Sequence, residues 1–288
     1  MPRMSGAPSV AWLDGRIVPW SDARVPIEDR GLQFGESLYE VVMITAGKPR
    51  LLEEHVGRMR VGAETIGLER GVPSDARWEE IVRELVSRDR LVEGLLYAQL
   101  TGGTGRRLHV AAYEPTFLAY VREHRFPRAA DAARGASVLT LPDLRWGRAD
   151  LKTTMLLPAV LAKRTASARG MEEALLLVPE GEVREGTTSN VFLVEGRTVV
   201  SPGQDHHLLP GITRSLVERV AGEAGLRSES GRVSLDRLVL SDEVFLTSTS
   251  RLVLPVTEID GRAIGAGKAG PVALDLASRL RARLEIDG

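Results

Sequence analysis

Residues 37–52, SLYEVVMITAGKPRLL, decide how the start of the chain folds. Two apolar runs flank Thr45-Ala46-Gly47-Lys48, and the glycine there suits a tight reversal, so the stretch reads as a β-hairpin. Upstream, Asp14-Gly15 between AWL and RIVPW gives a second hairpin signal of the same kind. Downstream, the spacing predicts two amphipathic helices, about Glu53–Leu68 and Ser74–Leu91, with Ser74 as N-cap. Strands LLYAQLT and TFLAYVRE follow, on either side of a Gly/Arg loop at Thr101–His109. Strands, then helices, then strands again argue for an α+β layer over a doubly wound sheet.

The segment His124–Ala136, HRFPRAADAARGA, has little apolar periodicity and contains Pro127 and Gly135. It reads as a linker between a small N-terminal domain, residues 1–123, and a larger C-terminal domain, residues 137–288. Beyond it the expected elements are strand SVLTL, a helix near Leu156–Arg169, and strands ALLLV and NVFLV. A helix then starts near Ile212, and EVFLT and LVLPVTEI end the sheet.

Composition narrows the function. The formal net charge is −1 over 288 residues, with both signs interspersed, so no basic surface for nucleic acid or anionic lipid is expected. There is no cysteine, which removes disulfides and thiolate metal sites. No apolar run is long enough to span a bilayer, and MPRMSGAPSVAW lacks the apolar core of a secretion signal; a cytoplasmic protein is the expectation. Gly265–Gly270 matches a dinucleotide fingerprint in letters only, because no βαβ unit can follow it. His206-His207 reads as a loop pair with no metal role, since adjacent histidines on a regular element cannot face one ion.

Positive charge is carried almost wholly by arginine, and the lysines are Lys48, Lys152, Lys163 and Lys268 alone. Only an amine can lose its proton and form a Schiff base, so Lys152, in RADLKTTMLLPAV, is a candidate nucleophile as well as a candidate surface charge. Glu185, opening VREGTTSNVFLV, stands at a strand entrance where a carboxylate can pair with a cationic ring nitrogen. Gly211-Ile212-Thr213 begins a helix whose free N–H groups favour a phosphate, and Thr247–Ser250 supplies hydroxyls that can complete such a cup. Arg107 and His109 alternate about Leu108, so in extended chain they share one side and suit a carboxylate ligand.

Taken in order, EDRGLQFGESLYEVV (28–42), EEHVGRM (53–59), LKTTMLLPAVLAK (151–163), VREGTTSN (183–190), LPGITR (209–214), VFLTSTS (244–250) and PVTEIDG (255–261) resemble the class IV aminotransferases, the fold-type IV pyridoxal-phosphate enzymes. The resemblance implies two domains with the cofactor, pyridoxal 5'-phosphate, between them. It implies that Lys152 forms the Schiff base and shuttles the substrate's α-proton, and that Glu185 pairs with the pyridine nitrogen. Arg58, Ile212, Thr213, Ser248 and Thr249 would hold the phosphate. Amino acids and 2-oxo acids would be the substrates of a homodimer.

Within the family the chain looks most like the D-amino acid aminotransferase branch, in which a tyrosine and an Arg-x-His pair from the neighbouring subunit bind the substrate carboxylate. Tyr39, Arg107 and His109 match that pattern, and Ser250 is a further substrate-binding candidate. An (R)-selective amine transaminase, an L-branched-chain aminotransferase and an aminodeoxychorismate lyase are the alternatives. Three positions depart from the family: Gly102 where it has arginine, Glu36-Ser37 where it has a small acidic–glycine pair, and Arg251 where it has an acidic residue. Arg251 is expected to add a positive charge near the site and to shift preference toward acidic or bulky substrates.

Overall fold

The computed structural model describes residues 7–286, which form two compact units. The first comprises the chain up to Arg125 together with Leu151–Met155; the second comprises Phe126–Asp150 and the chain from Leu156 onward.

In the first unit β1 (Val10–Leu13) and β2 (Arg16–Pro19) form the Asp14-Gly15 hairpin. A short helix α1 (Arg30–Phe34) follows, then β3 (Ser37–Thr45) and β4 (Lys48–Pro49), the helices α2 (Leu52–Ile66) and α3 (Asp75–Asp89), and strands β5 (Gly94–Thr101) and β6 (Thr116–Glu123). The strands make one sheet in the order β2-β1-β6-β5-β3-β4, antiparallel throughout. Both expected hairpins are present, with Asp14 and Ala46 at positive φ beside their glycines. Ser74 caps α3, its hydroxyl accepting from the Arg77 N–H.

Strand periodicity sorts the two faces of this sheet. Leu38, Val42, Ile44, Leu96, Ala98, Leu100, Phe117 and Ala119 pack against α2 and α3, which present Val56, Met59 and Ala63, and Trp78, Ile81, Val82 and Leu85. The α3 set falls at i, i+3, i+4 and i+7, the spacing of one helical face. The other face carries Tyr39, Tyr97 and Tyr120, stacked across neighbouring strands at 5.8 and 5.2 Å, with Trp20 edge-on to Tyr120.

The second unit opens with α4 (Ala129–Arg134), β7 (Ala136–Pro142), α5 (Leu157–Ala168), β8 (Glu173–Leu177), β9 (Val183–Gly186), β10 (Asn190–Glu195) and β11 (Thr198–Pro202). Then come α6 (Ile212–Glu223), β12 (Arg227–Gly231), α7 (Leu235–Leu240), β13 (Glu243–Ser248), β14 (Leu252–Ile259), β15 (Arg262–Ala263) and α8 (Pro271–Arg283). Its nine-stranded mixed sheet runs β12-β11-β10-β13-β14-β7-β8-β9, with β15 paired to β14. Strands β10, β11 and β13 are buried almost without alternation, as expected where both faces are covered. Phe192 and Phe245 stack at 5.0 Å between β10 and β13.

Residues 124–136, expected as linker, contain α4. The Arg128 N–H donates to Asp131 at 2.8 Å, and Ala132 is buried. A helix of 6 residues is too short for periodicity to show. The GAGKAG stretch is a turn before α8, with Gly265 and Gly267 at positive φ.

Candidate active site

Lys152 lies in the stretch that leaves the second unit and joins the first. Leu38 bridges Thr153 in antiparallel fashion, the Tyr39 N–H donates to the Lys152 carbonyl at 2.9 Å, and Ser37 and Thr154 hydrogen-bond through their hydroxyls. The Lys152 ammonium stands 4.1 Å from the centre of the Tyr39 ring, within the range of a cation–π contact. The other lysines stand elsewhere: Lys48 and Lys268 are exposed, and Lys163 is paired with Glu173.

Arg58 projects from α2 onto Glu40 of β3, with Nε to Oε1 at 2.7 Å and Nη2 to Oε2 at 2.8 Å. His55, one turn earlier on α2, donates Nδ1–H to Glu40 Oε2 at 2.7 Å. Glu40 is 1% exposed. Burial opposes its charge, yet Arg58 and His55 together hold its carboxyl down at about 2. Burial also depresses His55, so a neutral imidazole with Nδ1 protonated fits the pair. These contacts fix the orientation of the Arg58 guanidinium.

Arg107 and His109 sit in the loop after β5 and share Phe34 as a platform. The Arg107 guanidinium carbon is 4.8 Å from that ring's centre and the His109 ring 5.4 Å away. Both residues are exposed.

In the second unit Glu185 lies near the end of β9 and is buried. It is ion-paired with Arg145 and accepts from Asn190 Nδ2 at 3.0 Å. Burial outweighs Arg145 and pushes the carboxyl up to about 7. Arg145 is held by Asp143 as well, at 2.7 Å from Oδ2, and donates to the His207 carbonyl. Asn190 also donates to the Leu209 carbonyl at 3.1 Å, which ties Glu185 to the start of α6. No side chain caps that helix, and Gly211 precedes it against Asn190, where any β-carbon would collide with the amide. Asn190 and Thr247 are register partners on β10 and β13. Ser248 closes β13, and Thr249, Ser250 and Arg251 form the turn into β14.

The expected positive charge of Arg251 is compensated: its Nη1 contacts Glu172 Oε2 at 2.9 Å at the surface. Four partners were not anticipated from sequence. Glu40 was signalled by a carboxylate at a core-facing strand position between Leu38 and Val42, and Asn190 by its place in the quoted EGTTSN turn. His55 stands in the quoted EEHVGRM run but had no role assigned. Arg145 carried no signal beyond the mixed charges of Asp143, Arg145, Arg148 and Asp150.

These groups suit pyridoxal phosphate. A carboxylate whose charge burial still opposes even beside Arg145 suits a protonated ring nitrogen. An uncapped helix of 12 residues and the buried Thr247 hydroxyl, which has no partner among the described residues, match phosphate oxygens.

Comparison with known proteins agrees. The family Amino-transferase class IV matches residues 37–259. The D-alanine aminotransferase of Bacillus licheniformis is 37% identical over 271 residues, covering 93% of this chain and 95% of that one. That of Staphylococcus aureus (strain N315) is 33% identical over 269 residues, covering 92% and 94%. Among solved structures, a T.th. branched-chain amino acid aminotransferase with pyridoxamine 5'-phosphate superposes with a TM-score of 0.87 at 30% identity, covering 98% of this chain and 96% of that one. A putative 4-amino-4-deoxychorismate lyase from Legionella pneumophila, 23% identical with a TM-score of 0.80 and coverage of 91% and 96%, shares the fold. Sequence, fold and site chemistry lead to one assignment: this chain belongs to the class IV aminotransferases and is a pyridoxal-phosphate-dependent transaminase of fold type IV.

Proposed function

We propose that the enzyme moves amino groups between D-amino acids and 2-oxo acids, with a D-alanine-like donor. The observation that carries this reading is Arg107 and His109 displayed together on Phe34, in a chain 37% identical to a D-alanine aminotransferase.

Bound pyridoxal phosphate supplies an electrophilic carbon for the amino group and a ring that takes up electrons as the α-proton leaves. The chain's residues do the rest. Lys152 Nζ would hold the cofactor covalently, and its amine would take and return the proton at the substrate's α-carbon. The Tyr39 ring orients that amine. Glu185 would pair with the ring nitrogen and favour its protonated form, and Arg145 favours the ionised form of Glu185 against burial. Arg58, the N–H groups of Ile212 and Thr213, and the hydroxyls of Ser248 and Thr249 bind the phosphate dianion. Arg107 and His109, with the Tyr39 hydroxyl, grip the substrate carboxylate, and Ser250 lines the substrate side. In the proposed homodimer the Arg107–His109 pair serves the partner's site.

A second reading, an L-branched-chain aminotransferase, is favoured by the fold match at TM-score 0.87. The visible spectrum of the cofactor-loaded protein separates the two. D-alanine should discharge the cofactor band while L-leucine and (R)-1-phenylethylamine leave it in place. Discharge by L-leucine alone would establish the second reading, and discharge by the amine alone would remove the carboxylate grip.

A further inference from the structure

Gly102 and Glu36 lie against each other. A β-carbon on Gly102 would stand 2.8 Å from the Glu36 carboxyl carbon and 2.9 Å from its Oε1. The Glu36 side chain therefore fills the space that any side chain at 102 would need. Its carboxylate is ion-paired with Arg30 Nε. Arg30 is 6% exposed, and it donates Nη1 to the Leu108 carbonyl at 2.6 Å and Nη2 to the His109 carbonyl at 3.4 Å. Its guanidinium also lies over Phe34, 4.8 Å from the ring centre, the same ring that Arg107 and His109 use.

The start of the loop is tied to the same segment. The Arg30 N–H donates to the Gly103 carbonyl, the Gly102 N–H to the Glu36 carbonyl, and the Thr101 hydroxyl to Asp29. Residues 106–110 are by contrast exposed, and the far end of the loop is held by Arg30, by the Phe34 ring and by the Tyr113 hydroxyl on the Arg106 carbonyl.

We propose that Arg30 and Glu36 are positioning residues that fix the Arg107–His109 pair, and that the missing side chain at Gly102 lets Glu36 reach Arg30. Gly102 and Glu36 then form one matched pair: the absence of a side chain at 102 leaves the space that the Glu36 carboxylate fills. Without Glu36 the buried Arg30 charge loses its partner and turns toward water, releasing the Leu108 and His109 carbonyls. The link to substrate rests on the carboxylate-binding role proposed above; the link to loop order does not.

The test uses the cofactor-loaded enzyme and four variants: Glu36→Ala, Glu36→Gln, Gly102→Ala and the Glu36→Ala/Gly102→Ala pair. Hydrogen exchange of the peptide spanning residues 104–112 is read without substrate, and KM and kcat for D-alanine are read at saturating 2-oxo acid. Each single variant is expected to speed exchange of the loop and raise KM about tenfold, with kcat changed by no more than about threefold. In the pair, Gly102→Ala should add nothing, because the side chain it displaces is already gone. Unchanged loop exchange in both Glu36 variants would overturn the proposal, as would single effects that multiply in the pair. Faster exchange in the variants of an enzyme that ignores D-alanine would uphold the clamp while rejecting the D-amino acid reading.

Discussion

Burial would leave the Glu185 carboxyl about half protonated at neutral pH, since it is pushed up to about 7 even with Arg145 beside it. Only the ionised form accepts from a pyridinium, so cofactor affinity should rise with pH through about 7 and fall below it. Arg145→Met removes the opposing charge and moves that transition upward by about a unit or more, on the order of tenfold weaker binding at neutral pH. Dissociation constants for pyridoxal phosphate, measured from mildly acidic to mildly alkaline pH, would show this, and a transition that stays in place would remove Arg145 from the role. Lys152→Ala is expected to abolish the cofactor–lysine absorbance and lower transamination by roughly a thousandfold or more. Retention of both would end the assignment of Lys152. At this scale the sequence singled out the groups proposed as reactive and was silent about their partners. Lys152 and Glu185 stand in recognisable runs, whereas Arg145 reaches Glu185 across 40 positions of chain.

Between elements, Glu40 joins β3 to α2 through Arg58 and His55. Its carboxyl is held at about 2, below its unfolded range, so the stability it contributes is present above about pH 4.5 and is lost as pH falls toward 2. Glu40→Ala takes this counter-ion from Arg58 in a largely buried position and should cost about 3–5 kcal/mol. Its acid-unfolding profile should lose part of the wild-type slope between pH 4.5 and 2. A chemical-denaturation midpoint equal to that of the wild type would show that the pair does not tie strand to helix. The helices themselves were legible: α2 and α3 begin and end within two residues of their sequence-predicted bounds, because their apolar positions recur at helical spacing. Among the elements that were not foreseen, α1, α4, α7, β11 and β12 have five or six residues each, fixed by caps and neighbours in place of any internal pattern.

For the whole molecule, the resemblance implies a homodimer, and α5 offers a surface suited to one. Leu157 is 67% exposed and Leu161 51%, on a helix that also shows Val160. Exposed apolar side chains grouped this way mark contact surfaces. The Leu157→Glu/Leu161→Glu variant should sediment as a monomer and lose transamination, because Arg107 and His109 would no longer reach a partner's site. A wild-type monomer that is active, or a variant that remains dimeric and active, would contradict this. What the sequence determined by itself was the α+β class, the long helices and both hairpins, and it named the residues proposed as reactive groups; each rests on local periodicity, turn chemistry or a short run of residues. Only the tertiary structure decided that Lys152 packs on Tyr39, that Arg58 is braced by Glu40 and His55, that Glu185 is buried with Arg145, and that Glu36 occupies the space beside Gly102. Those pairings depend on strand register and close packing between distant segments, and no local pattern in the chain encodes which distant side chain completes a charge or fills a gap.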